Sequence, residues 1–287
     1  MTCRRLFLGL MAFVLAGCSR GQVAASRGRA AQRIVSLAPS TTEAIFAIGA
    51  GDRLVGRTRF CDYPPAALAL PSVGDVEPDL EAILDVRPDL VVGIAGLTSR
   101  SIADQLEARG TPSWFSETSS LAAIDRLLLG LGERAGHSQD AKRLVHSIDE
   151  REQAILRAVA TAPKPRVLFV VSVAPLVAAG PASFADELIR DAGGQNIVRE
   201  GGAWPTLGFE WILDRDPDRI LDASQGAAGA TTISAQAPGW SGLRAVREGR
   251  VTAMHDPRVL RAGPRIAEGL AVLARALHPD LELPSVP

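Results

Sequence analysis

From residue 33 the chain alternates two hydrophobic patterns. Short runs rich in β-branched residues read as strands, and longer stretches whose apolar residues recur every three or four positions read as helices. In the first half, strands are predicted over 33–37, 53–56, 90–94 and 113–115, with helices over 80–86 and 99–109. Another helix starts in Pro39-Ser40-Thr41-Thr42-Glu43, where Ser40 and Glu43 have capping-box spacing, and stops at Gly49 and Gly51. Residues 119–161 depart from the rhythm: strong helix formers are interrupted only around Gly130, Gly132 and Gly136. Their second part predicts one long helix over 137–162, capped by Ser138, with Ala141, Leu144, Val145, Ile148, Ile155, Leu156 and Val159 on one face. A helix of that size is about 36 Å long, enough to cross from one lobe to another.

The alternation restarts at 166–173, a nearly continuous apolar run of the kind buried in parallel sheets. Helices follow over 184–192, 208–215, 243–246 and 266–277, with strands over 219–221 and 250–254. Small residues dominate 226–238, which predicts a surface loop. The expected fold class is α/β: two Rossmann-like lobes, 32–136 and 163–287, joined by one backbone helix, with a ligand cleft between them. A single helical connection restricts hinge motion, whereas two or three extended strands would permit wide closure.

An internal repeat supports the two lobes. Residues 81–89 read Glu-Ala-Ile-Leu-Asp-Val-Arg-Pro-Asp, and 129 positions later residues 210–218 read Glu-Trp-Ile-Leu-Asp-Arg-Asp-Pro-Asp, identical at six of nine positions. A helix, a proline turn and a strand account for the Ile, Leu and Pro positions. They do not require Glu81 and Glu210.

The first 18 residues are set apart from this body. Arg4 and Arg5 precede an apolar stretch over 6–17 that ends in Leu15-Ala16-Gly17-Cys18, the form of a secretory signal. As a helix the stretch would span about 18 Å, short of a bilayer core near 30 Å. The small residues directly before Cys18 resemble the lipobox of bacterial lipoproteins, a likeness that makes Cys18 the expected lipidation site and 19–31 a tether to the membrane; an ordinary cleaved signal is the alternative. Arg20, Arg27 and Arg29 favour anionic lipid. With Cys3 removed and Cys18 lipidated, Cys61 has no partner for an intramolecular disulfide. Losing Arg4 and Arg5 leaves 29 basic against 32 acidic residues, a balance that gives no footprint for nucleic acid.

Candidate chemistry is sparse. No phosphate loop, nucleophile elbow or zinc motif is present, and His137, His146, His255 and His278 lack metal-ligand spacing. An enzyme is therefore not expected. Trp204 sits in a loop between Gly201-Gly202-Ala203 and Pro205, a place that suits contact with a partner better than core packing. Trp114, Trp211 and Trp240 read as packing residues. Tyr63, the only tyrosine, precedes Pro64-Pro65 and is biased toward extended backbone.

Several segments resemble the helical-backbone class of periplasmic substrate-binding proteins, which serve ABC importers of vitamin B12, haem and iron-siderophores. They are residues 33–43, Asp62-Tyr63-Pro64-Pro65, Leu80-Glu81-Ala82-Ile83, Ala203-Trp204-Pro205 and Arg261-Ala262-Gly263-Pro264-Arg265-Ile266. The likeness spans nearly all of 33–277 and is nearest to the vitamin B12-binding members. It implies a receptor in the periplasm or on the extracytoplasmic face that captures cobalamin or another corrinoid and delivers it to a permease dimer. Haem and ferric siderophores are the alternatives within the family. It also implies that Tyr63 and Trp204 contact ligand, that Arg261 and Asp256 meet its polar periphery, and that Glu81 and Glu210 form salt bridges with permease arginines. Three further aromatic positions of the B12 binders appear here as Asp75, Ile94 and Val177. Tyr63 could stack on a macrocycle, donate a hydrogen bond, bind ferric iron as phenolate, or simply pack a surface turn. A tetrapyrrole-acting enzyme with paired α/β lobes is the alternative outside the family, and the export signal argues against it.

Overall fold

The computed structural model describes residues 29–97, 100–224 and 232–284. The signal segment with Cys18, most of the tether, and much of the 226–238 loop lie outside the described residues.

The first lobe carries a parallel sheet of four strands in the order β2-β1-β3-β4: β1 (Ile34–Ser36), β2 (Leu54–Arg57), β3 (Leu90–Ile94) and β4 (Ser113–Ser116). Every residue of β1 and β3 is buried, which is why these strands read as unbroken apolar runs. Helices α1 (Pro39–Ala47), α2 (Leu80–Asp85) and α3 (Arg100–Ala108) belong to this lobe. Helix α4 (Leu121–Ala135) follows, and α5 (Ser138–Val159) leads to the second lobe.

The second sheet has the order β6-β5-β8-β9, built from β5 (Arg166–Val173), β6 (Leu176–Ala178), β8 (Arg219–Asp222) and β9 (Val251–Ala253). Here β6 is antiparallel, while the two-residue β7 (Gln195–Asn196) runs parallel beside the first residues of β5. Helices α6 (Phe184–Asp191), α7 (Phe209–Arg215), α8 (Arg244–Arg247), α9 (Pro257–Leu260) and α10 (Ile266–Leu277) complete the lobe.

The glycines of 119–161 differ from the expectation. Helix α4 runs straight through Gly130 and Gly132, and only Gly136, at φ 72°, ends it as a left-handed C-cap. A Cβ on Gly132 would stand 2.4 Å from the Ala141 Cβ, so this glycine exists to let α4 and α5 touch. Ser138 is the first residue of α5, not its cap. One hydrophobic cluster extends from Ile34 and Ile45 through Leu127 and Leu131 of α4 and Ile148 and Ile155 of α5, and reaches Phe169, Leu221 and Leu270. The lobes therefore share a core along the backbone helix.

The repeat performs the same structural task twice. Ile83 and Ile212 are fully buried. Arg87 and Asp216, each directly before the proline, are the only non-glycine residues with positive φ among the described residues, at 46° and 33°. Asp89 accepts hydrogen bonds from the backbone N–H groups of Gln32 and Arg33 at 2.8 and 2.9 Å, and Asp218 accepts one from Arg166 at 2.9 Å. In return Arg33 donates to the carbonyls of Val86 and Arg87, and Arg166 to those of Arg215 and Asp216, so the first arginine of each lobe closes the end of the repeat helix. Cutting Ile83 or Ile212 to Ala should each cost about 3 kcal/mol, read as matching shifts of the urea midpoint at constant m-value.

A second tie joins the lobes beside α5. The Leu121 N–H donates to Glu187 Oε2 at 2.6 Å, from the start of α4 to α6. Around it, burial together with the carboxylates of Asp125, Asp149, Asp191 and Glu187 pushes Glu152 up from 4.5 to about 7. The folded chain thus holds this proton more tightly than the unfolded one. Its stabilising contribution is complete below about pH 4.5 and declines as pH rises to about 7. Urea midpoints should fall over that window, and Glu152→Gln should flatten the fall; an unaltered slope would place the titration elsewhere.

Candidate functional site

Ligands of open α/β folds bind at the carboxyl edges of the strands, and the residues described next follow the ends of β1, β2 and β9. On the first lobe, hydroxyls fix the turn from β1 into α1. Ser36 Oγ and Thr41 Oγ1 lie 2.7 Å apart, Thr42 Oγ1 donates to Ser36 Oγ at 2.8 Å, and Thr41 Oγ1 donates to the Ala38 carbonyl at 2.9 Å. The predicted capping box is absent: Ala38 occupies the N-cap without a side-chain bond and Pro39 starts the helix. Glu43 points inward instead, with 2% of its side chain exposed.

Two guanidiniums of the second lobe meet that carboxylate. Arg265 forms a two-pronged pair, Nε to Glu43 Oε2 at 2.8 Å and Nη2 to Oε1 at 2.9 Å. Arg261 Nη1 donates to Glu43 Oε1 at 2.9 Å and to Asp62 Oδ1 at 2.7 Å. The Arg265 guanidinium also lies over the Tyr63 ring, 3.8 Å from its centroid. One buried carboxylate therefore bolts the segment between α9 and α10 to α1, and through Arg265 it orients Tyr63, whose ring stays 42% exposed.

The remaining predicted residues divide clearly. Trp204 is 44% exposed and sets its ring edge-on to Phe184 at 6.2 Å. Its strand-like segment pairs with β6: Gly180 N–H donates to the Ala203 carbonyl and Leu207 N–H to the Leu176 carbonyl. Asp256 caps α9, accepting from the Arg258 N–H, and binds the Arg258 guanidinium through both oxygens. The hydrogen bond from Arg258 holds its carboxyl below the ordinary range. Glu81 and Glu210 each occupy the second position of their helix and are exposed, with no ion pair among the described residues. Helices α2 and α7 lead into the parallel strands β3 and β8. Trp114 stacks under Arg134, Trp211 under Arg215, and Trp240 packs edge-on against Phe209, all as packing residues. His255 Nε2 lies 2.8 Å from the Ser224 carbonyl, and no group of three His, Cys, Asp or Glu suited to a metal occurs among the described residues.

Sequence reasoning missed Glu43, Asp62 and Arg265, and also Phe60, an exposed ring 5.0 Å beneath the Arg59 guanidinium, which faces Asp75 at 3.6 Å. The spacing of Arg261 and Arg265, four apart in a quoted segment, was the available signal. In all, four cleft guanidiniums (Arg59, Arg258, Arg261, Arg265) face five carboxylates (Glu43, Asp62, Asp75, Asp256, Glu268). Among these described residues the guanidiniums do not outnumber the carboxylates, and the site offers aromatic area and hydrogen bonds.

Removing the bolt should be costly, because Glu43→Ala leaves two partly buried guanidiniums without their anion. A loss of about 3 kcal/mol is expected, measured by urea unfolding, together with a change in near-ultraviolet circular dichroism as Tyr63 loses its orientation.

Residues 34–257 match the sequence profile of the family described as periplasmic binding protein. The chain is 30% identical over 257 residues to an uncharacterised ABC transporter substrate-binding lipoprotein of Bacillus subtilis, covering 87% of this chain and 81% of that one. It is 30% identical over 250 residues to the vitamin B12-binding protein of Photorhabdus laumondii, covering 86% and 88%. Among solved structures, a periplasmic heme-binding protein from Pseudomonas aeruginosa superposes with a TM-score of 0.78 at 28% identity, over 90% of this chain and 96% of that one.

Proposed function

The chain belongs to the periplasmic binding protein family, and from that premise we propose that it captures cobalamin or a related corrinoid outside the cytoplasm and hands it to the permease of an ABC importer. The observation that supports the choice of ligand is a set of arginines that are all paired with carboxylates, together with two exposed rings. A corrinoid is large and flat-faced, with an edge lined mainly by neutral amides. It needs stacking area, which Tyr63 and Trp204 supply from opposite lobes, and hydrogen-bond donors, which Arg261 supplies without net charge. Haem is the second reading, supported by the likeness to the heme-binding protein and by Tyr63, whose phenol could ligate ferric iron. Its two carboxylates suit a cleft with unpaired cations better than this one.

Glu81 and Glu210 serve as docking contacts. An exposed carboxylate contributes little to the fold, yet across a desolvated interface a charge-assisted pair fixes register, and a two-lobed receptor on a symmetric dimer needs one such contact per lobe. Cys18 carries the lipid that keeps the receptor near its permease, in keeping with the lipoprotein of Bacillus subtilis.

Titrating the processed chain with cyanocobalamin, cobinamide, haemin and ferric siderophores while following tryptophan fluorescence tests the ligand. Saturable quenching by the corrinoids is expected, and Trp204→Phe should remove most of it; no response below high micromolar corrinoid would refute the choice. Reversing both Glu81 and Glu210 to Arg should leave this titration intact and abolish uptake in cells, and retained uptake would rule out the docking role.

A further inference from the structure

Arg261 is shared unequally. Its Nη1 serves two carboxylates, the buried Glu43 and Asp62, whose side chain is 56% exposed. No acceptor among the described residues meets its Nε or Nη2. Glu43 is committed on both oxygens to Arg265 and Arg261, whereas Asp62 stands in the loop directly before Tyr63, on the ligand side of the cluster. The Arg261 hydrogen bond holds the Asp62 carboxyl below the ordinary range, so it is ionised at neutral pH.

We propose that Asp62 acts as a charge filter on Arg261, admitting ligands that bring neutral hydrogen-bond acceptors to the guanidinium and disfavouring ligands that bring a carboxylate. A neutral carbonyl can accept from Nη2 while Asp62 stays in place. An anionic edge must either displace Asp62 from Nη1 or settle beside a like charge already bound to the same group, and both outcomes weaken its binding. Specificity would then come from a repulsive element next to Tyr63 in addition to the attractive contact area. This inference rests on the cleft accepting a flat macrocycle, but it concerns only the charge at the edge of that macrocycle.

The test compares haemin, haemin dimethyl ester and cyanocobalamin against the wild-type chain, Asp62→Asn and Asp62→Glu by fluorescence titration. Asp62→Asn should raise the affinity for haemin relative to cyanocobalamin by about tenfold. The dimethyl ester, which has no carboxylate, should gain no such advantage, and Asp62→Glu should keep the wild-type preference. A haemin-to-cyanocobalamin ratio unchanged in Asp62→Asn, or an equal gain for haemin and its ester, would overturn the filter while leaving the macrocycle reading intact. Failure of every macrocycle to bind the wild-type chain would overturn both.

Discussion

At the ligand-facing side the two lobes are joined through one buried carboxylate. Glu43 sits one turn into α1, beneath a turn pinned by the hydroxyls of Ser36, Thr41 and Thr42, and receives Arg261 and Arg265 from the opposite lobe. A buried ion pair of this kind adds little net stability over a well-packed apolar substitute, because desolvation offsets the Coulombic gain. What it supplies here is register. Arg265, paired with Glu43, also lies over Tyr63, and Arg261, paired with it too, also meets Asp62. The ligand-facing residues of the first lobe are thereby positioned by the second.

This bolt acts alongside a continuous apolar core. The cluster that runs from β1 across α4 and α5 to β5 and α10 means that opening the cleft widely would expose buried side chains as well as break ion pairs. On the proposed function such a receptor would be gripped from outside, through the two exposed glutamates of the repeat. In each copy the isoleucine, proline and final aspartate are consumed by the fold, since they bury, turn and anchor the first strand of the lobe. The glutamate at the head of each helix is left over and exposed. The repeat thus carries a surface feature along with a structural one.

Much of this was legible in the sequence because it rests on periodicity and punctuation. Continuous apolar runs marked β3 and β5, heptad-like spacing marked α5, and the repeat marked the lobes. The three tryptophans read as packing residues do pack. Elements of two to four residues, β6, β7 and α9, were too short to show a period. The misreadings share a cause: one local pattern serves two purposes. Ser40 and Glu43 match a capping box whether the glutamate folds back on its own helix or points into the molecule, and only the partner 218 residues away decides. Gly130 and Gly132 interrupt a helix in an isolated chain but are required where Trp114 and Ala141 press against it. The pairings of Arg261 and Arg265 with Glu43 and Asp62 were invisible for the same reason, since they depend on residues brought together across the lobes.

An aromatic cleft whose arginines are already paired with carboxylates is proposed to prefer a neutral-edged corrinoid. Isothermal titration of the processed chain with cyanocobalamin and with haemin tests it most directly. The account predicts one site per chain, with cyanocobalamin bound more tightly than haemin and its affinity nearly independent of salt. Tighter haemin binding that weakens steeply as salt is raised would contradict it.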